Sequence, residues 1–121
     1  MEPLTPAVER RIEKLWAADG DRRRVRDALM EYGRESYQRE HERVRLAILK
    51  LSAGDVEKAL ALTETARSDY RDVLAWAEYP EEFHSPLAFR LDPSDADRAR
   101  LEEVRRRDRE QYEAWLRTTI V

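Results

Sequence analysis

One pair of residues, Gly54-Asp55, predicts a reversal of the chain that constrains the rest of the fold. Glycine adopts the left-handed conformation that ends many helices without a steric penalty. An aspartate that follows it accepts hydrogen bonds from the first free amides of the next helix. The pair therefore predicts a tight turn between two helices, which we place at about residues 21–52 and 55–79.

Both segments beside this turn carry apolar residues at helical spacing. The upstream stripe contains Tyr37, His41, Val44, Ile48 and Leu51, and the downstream stripe contains Leu60, Thr63, Tyr70, Leu74 and Ala77. Residues three and four apart lie on one side of a helix. Two wide apolar faces joined by a tight turn are expected to pack on each other.

Further signals at the ends of the chain predict an all-α fold. Thr5-Pro6 is typical of a helix start and begins a short helix at about 6–18. Pro80 ends the third helix, and an ordered loop over 80–92 leads to a last helix at about 93–119. We therefore predict an antiparallel bundle of three long helices plus a short N-terminal one, in a single domain of residues 1–121.

Composition narrows the classes of function. The chain has 121 residues, of which 40% are charged, a net charge of −3 and no cysteine. Thiolate metal sites, disulfides and thiol redox chemistry are thereby excluded. No secretion signal or membrane-spanning apolar run occurs, so a cytoplasmic location without membrane contact is expected. An acidic balance makes nucleic-acid binding an unlikely function.

Two polar residues interrupt the apolar stripes at one predicted height. Residues equally distant from a tight turn lie level in an antiparallel helix pair. His41 is then level with Ala66, and reflection across the second connection brings Ala66 level with Arg107, beside Asp108. We predict a structural hydrogen bond between His41 and Asp108, provided that the last helix runs antiparallel to the third.

The second helix begins with a cluster of arginines, which the positive end of a helix dipole disfavours. The same height matching places this helix start beside residues 81–85. Free amides together with cationic side chains are typical of an anion site. The candidate ligand-binding residues are Arg22, Arg23, Arg26, Tyr79, His84 and Arg90. The alternative is that neighbouring acids, among them Glu9 and Glu81, neutralise the arginines.

The second helix is also apolar nearly all round near its end, where Leu46 and Leu49 lie outside the main stripe. Such a helix must be covered on several sides. The first helix is expected to lie at the far end and not to reach these leucines. A second subunit, a partner helix or the tail Ile120-Val121 could cover these leucines, and we predict that Leu46 and Leu49 belong to an interface with a second subunit or a partner helix.

No residue pattern predicts catalysis, a metal or a cofactor. The carboxylate-histidine spacing of di-iron bundles occurs once, at Glu81 and His84, whereas such sites need it twice. Residues 69–80 resemble segments of bacterial helical proteins, and this resemblance implies no activity. We predict a non-enzymatic helical protein-interaction or assembly module that self-associates. The alternative is a domain that binds a small anion, a nucleotide or a nucleic-acid phosphate, and an enzyme ranks third.

Overall fold

The computed structural model describes residues 4–84 and 92–118. The described part of the chain is all-helical and contains no strand, as the sequence predicts. Its helices are α1 (Pro6–Leu15), α2 (Asp19–Glu31), α3 (His41–Ser52), α4 (Val56–Ser68), α5 (Tyr70–Glu78), α6 (Pro80–His84) and α7 (Asp95–Arg117). None of these helices is long and apolar enough to cross a bilayer.

The chain divides into two compact units, Met1–Leu74 and Ala75–Val121. The predicted bundle of three long helices plus a short one is not confirmed, because two of the long helices are interrupted. The single domain predicted for residues 1–121 stays a prediction.

The first unit contains helices α1 to α4 and the first residues of α5. Helix α1 packs against α2 and α3, and α4 packs against the same two helices. These four helices share an apolar core whose side chains are almost fully buried. Burial of apolar surface is the main source of stability in a unit of this size. Its side chains include Val8, Ile12, Val25, Leu29, Val44, Ala47, Ile48 and Ala66.

Helix α1 ends at Leu15 and α2 begins at Asp19, so the predicted helices 6–18 and 21–52 need correction at this turn. Trp16 is buried in extended conformation, and its carbonyl oxygen accepts a 2.6 Å hydrogen bond from Arg22 Nε. Burial of the indole thus moves the reversal upstream of Gly20, which lies within α2.

The turn between α3 and α4 confirms the reversal at Gly54-Asp55. Gly54 has a φ of 85°, and the preceding Ala53 is also left-handed with a φ of 52°. Asp55 Oδ1 accepts a 3.2 Å hydrogen bond from Lys58 N. A Cβ atom on Gly54 would lie 3.7 Å from the Leu15 carbonyl oxygen, so the end of α1 lies beside this turn.

The predicted helix 21–52 is wrong, since α2 ends at Glu31 and α3 begins only at His41. The break coincides with Gly33, whose φ of 103° is incompatible with a right-handed helix, and with Glu40, whose φ is 55°. Helix α2 has 13 residues and is therefore about 20 Å long. Because it is this short, the chain turns back early and α1 contacts α3. The expectation that α1 lies far from α3 is therefore wrong.

The predicted helix 55–79 is also two helices, with a break at Asp69. The Asp69 carboxylate accepts hydrogen bonds of 3.0 Å from Arg71 N and Arg71 Nε. Such local side-chain bonding to the backbone competes with the continuing helix. Beyond Pro80 the predicted loop 80–92 is corrected in part, because α6 occupies its first five residues and residues 85–91 lie outside the described part.

In the second unit α6 packs against α7. Helix α7 begins with a capping box, in which Ser94 Oγ accepts from Asp97 N at 3.1 Å and Asp97 Oδ2 accepts from Ser94 N at 3.1 Å. This reciprocal pair satisfies two amides that a helix start leaves free. The predicted start signal is confirmed, with the helix beginning at Asp95 instead of 93.

Candidate interaction site

Residues 32–40, which we call the connector, join α2 to α3. Their central contact is a buried side-chain amide, Gln38. Its Oε1 atom accepts hydrogen bonds from Gly33 N at 2.8 Å, Arg34 N at 3.1 Å and Glu35 N at 3.3 Å. Successive amides that converge on one point form a concave nest. The connector is therefore organised around one side-chain oxygen.

The carbonyl groups at the end of α2 are satisfied by a second buried side chain, Arg45 of α3. Arg45 Nε donates to Leu29 O at 3.1 Å, and Arg45 Nη2 donates to Tyr32 O at 2.9 Å. Arg45 is 1% exposed. A cation at the negative end of a helix dipole is favourable, so Arg45 ends α2 while it joins α2 to α3.

Aromatic rings complete the connector. Tyr32 is fully buried and its hydroxyl donates a 2.5 Å hydrogen bond to Arg39 O. This burial raises the pKa of the Tyr32 phenol above its ordinary value, so the hydroxyl also keeps its proton in alkaline solution. The His41 ring meets Tyr32 edge to face at 6.1 Å and donates from Nε2 to Gln38 O at 2.8 Å. A Cβ atom on Gly33 would lie 3.0 Å from His41 Nε2, so glycine is also needed for space.

The connector presents Tyr37 to solvent. Its side chain is 61% exposed, the larger of the two exposures among large apolar side chains in the described residues. A recess of about 270 Å³ adjoins the ring and is lined by Ala66, Ser68, Asp69, Tyr70 and Arg71. Exposed tyrosines on rigid supports bind partners at little cost in conformational entropy.

The charges around Tyr37 have an ordered arrangement. Counted outward from Tyr37, Arg34 and Glu40 are three residues away on opposite sides, and Glu35 and Arg39 are two residues away. All four side chains are exposed. Residues at equal distance from Tyr37 on its two sides therefore carry opposite charges, Arg34 with Glu40 and Glu35 with Arg39.

The interface residues predicted from sequence, Leu46 and Leu49, are buried within the chain itself, at 8% and 0% exposure. Helix α3 packs against both α1 and α4. The interface assigned to these two leucines is therefore corrected: the break after α2 lets the chain cover the surface that was expected to need a partner.

Two arginines of the predicted anion site, Arg22 and Arg26, already have partners in the first unit. Arg22 donates to the carbonyl oxygens of Trp16 and Glu13, at 2.6 and 3.1 Å. Arg26 makes a bidentate pair with the Glu9 carboxylate, in which Nη2 lies 2.9 Å from Oε2. The alternative in which Glu9 neutralises the cluster is thus found for Arg26. Arg23 is exposed near the start of α2.

The other residues assigned to the anion site lie elsewhere in the chain. Tyr79 is 37% exposed and His84 is exposed, and both belong to the second unit, whereas Arg90 lies outside the described residues. Glu81 and Glu82 pair with arginines of α7, at 2.5 Å to Arg107 and 2.9 Å to Arg105. The assembly of these residues with the α2 arginines stays a prediction.

Asp108 has a defined role within the second unit. It is 2% exposed, and its carboxylate oxygens accept from Glu81 N at 3.0 Å and Glu82 N at 2.8 Å. Asp108 therefore caps the first amides of α6, as an acid at a helix start is expected to do. Its predicted bond to His41 joins the two units and stays a prediction, while His41 binds Gln38 O in the first unit.

Sequence reasoning missed the residues that build the connector, Gln38 and Arg45, and assigned Tyr37 to a buried stripe. One signal was present, because Arg45 stands between Val44 and Leu46 in the most apolar part of the chain. An arginine at a core position needs polar partners. Such partners are the free carbonyl groups of a nearby helix end.

The described residues contain no group of three or more acidic or histidine side chains placed to hold a metal ion. Comparisons with known proteins returned no matching family model, no similar curated protein and no similar solved structure.

Proposed function

We propose that this protein is a non-enzymatic interaction module that associates with a second copy of itself through the connector. The observation that carries the proposal is Tyr37, an aromatic side chain held in solvent by a hydrogen-bonded support. Tyrosine is enriched among the few residues that supply most of the energy of an interface. The recess beside Tyr37, which is lined by Tyr70 as well as by polar side chains, offers space for the ring of the second copy.

The choice of a second copy as partner rests on the charge order around Tyr37. A two-fold interface brings the same surface patch of both copies together, so each residue must complement another in that patch. A two-fold axis at Tyr37 opposes Arg34 to Glu40 of the second copy and Glu35 to Arg39. Like charges meet at none of these positions. Exposed pairs contribute little energy, so they select the partner while Tyr37 supplies affinity.

Sedimentation velocity at increasing concentration tests this proposal. For wild type we expect the average mass to rise from the 14.4 kDa monomer toward twice that value between about 10 µM and about 1 mM. The change Tyr37→Ala is expected to weaken association about tenfold or more. Tyr79→Ala removes the other exposed tyrosine and serves as the matched control, with association unchanged.

A charge exchange makes the test specific to the proposed geometry. Arg39→Glu alone opposes two acids across the two-fold axis and weakens association. Adding Glu35→Arg restores opposite charges and should recover most of the lost affinity. A wild type that stays monomeric up to about 1 mM, or a double variant no better than Arg39→Glu alone, would contradict the proposal.

A further inference from the structure

A second candidate site lies wholly within the second unit. A cleft of about 360 Å³ opens along α7 where it faces the junction of α5 and α6. Tyr79 and Tyr112 form its aromatic walls, and Asp108 lies in its lining. Clefts of this size hold small organic molecules. The cleft shares no lining residue with the connector.

The walls of the cleft are fixed by contacts from α7. Gln111 Nε2 donates to Ala77 O at 3.2 Å and to Glu78 O at 3.4 Å, which holds the end of α5 against α7. Tyr112 stacks on Trp115, with ring centroids 5.8 Å apart and planes at 28°. The second tyrosine, Tyr79, is 37% exposed at the entrance. The aromatic surface is therefore preformed and accessible.

The charges in the cleft favour a cation. Four carboxylates line it against two guanidinium groups. One of these guanidinium groups, Arg105, is shared between Glu82 at 2.9 Å and Glu102 at 3.1 Å, and Glu102 lies outside the cleft lining. An acid excess beside tyrosine rings attracts an ammonium group both by charge and through the ring faces.

We propose that this cleft binds a small organic cation, an amine that carries an apolar or aromatic group. In the bound state the ammonium group lies between Glu113 and the ring of Tyr79, and the apolar group packs against Tyr112. The guanidinium of Arg109, which also lines the cleft, reduces the attraction for the ammonium group but leaves the carboxylates in excess, four against two guanidinium groups.

Three probes of nearly equal shape separate the contribution of ligand charge from that of the aromatic group. They are 2-phenylethylamine, which is a cation at neutral pH, the neutral 2-phenylethanol and the anion phenylacetate. Titration followed by amide chemical shifts of residues 78–82 and 105–113 should give saturable binding of the amine with a dissociation constant of about 1 mM. The alcohol should bind about fivefold more weakly, because it lacks the charge.

Substitutions of residues that line the cleft test whether the amine binds there. Tyr79→Ala should weaken binding of the amine about fivefold while Tyr79→Phe retains it, and Glu113→Gln should weaken it about threefold. Tyr37→Ala should leave binding unchanged, which separates this site from the self-association proposed above. Equal binding of all three probes, tighter binding of phenylacetate, or no saturation by about 10 mM amine would overturn the proposal.

Discussion

Replacement of Arg45 by methionine is expected to lower the free energy of unfolding by about 3–5 kcal/mol. Methionine fills much of the same volume and is well tolerated in cores. The loss therefore comes from the two carbonyl groups, Leu29 O and Tyr32 O, that Arg45 satisfies at 3.1 and 2.9 Å. Both lie at the end of α2, where helix carbonyls lack part of their helical hydrogen bonding; Leu29 O keeps one further donor, Tyr32 N at 3.2 Å.

Urea denaturation followed by circular dichroism measures this change. The matched control is Arg43→Met, two residues earlier on the same helix, where the side chain is exposed. A surface substitution of this kind changes stability by about 0.5 kcal/mol or less. A result for Arg45→Met no larger than that of the control would show that Arg45 does not hold α2 to α3.

Replacement of Gln38 by alanine is expected to lower the free energy of unfolding by about 3 kcal/mol. The change removes the one acceptor shared by the amides of Gly33, Arg34 and Glu35. Part of the penalty is recovered because water reaches these amides once the connector opens. The remainder reflects the loss of a defined path between α2 and α3.

The variant Gln38→Glu distinguishes the contribution of the accepting oxygen of Gln38 from that of its donating Nε2 group. A carboxylate oxygen accepts from the same three amides, and charge strengthens such bonds, while the 3.4 Å bond from Nε2 to Arg67 O is lost. We expect this variant to lose less than half as much stability as Gln38→Ala, in the same denaturation assay. Ser36→Ala, at an exposed connector position, is the neutral control. Equal losses for alanine and glutamate would exclude the shared acceptor as the cause.

Local signals predicted the parts of the fold that local chemistry determines. The reversal at Gly54-Asp55 follows from one glycine and one capping carboxylate, and both behave as expected. The start of α7 likewise follows from Ser94 and its capping box. These features are predictable because each depends on residues within four positions along the chain.

The break between α2 and α3 was not predictable in the same way. Periodicity continues across residues 32–40, and Gly33 alone indicates no more than a bend. The helix ends there because Arg45 of α3 donates to its last carbonyl groups and because Gln38, itself held by α4, accepts from the amides that follow. Arg45 is 16 residues from Leu29, and Gln38 Nε2 reaches Arg67 O, 29 residues away. Tertiary partners of this kind override helix propensity.

The prediction of a continuous helix through the connector also explains why the interface residues were predicted wrongly. A continuous helix would bury Tyr37 in its stripe and expose Leu46, whereas the broken helix does the reverse. Periodicity therefore assigned the wrong exposure to both Tyr37 and Leu46.

Height matching assumes unbroken helices between the matched residues and the turn. The match of His41 with Ala66 uses the continuous helices α3 and α4, but the step from Ala66 to Arg107, beside Asp108, crosses the break at Asp69.

Amide hydrogen exchange of Gly33, Arg34 and Glu35 tests most directly whether the connector is a rigid support for Tyr37. Because these amides donate to buried Gln38, we expect each to exchange about 100-fold more slowly than in an unstructured peptide. The exposed neighbour Ser36 provides an internal reference in the same spectrum. Exchange of all three amides at unstructured rates would contradict the account, since a loose connector could not position Tyr37.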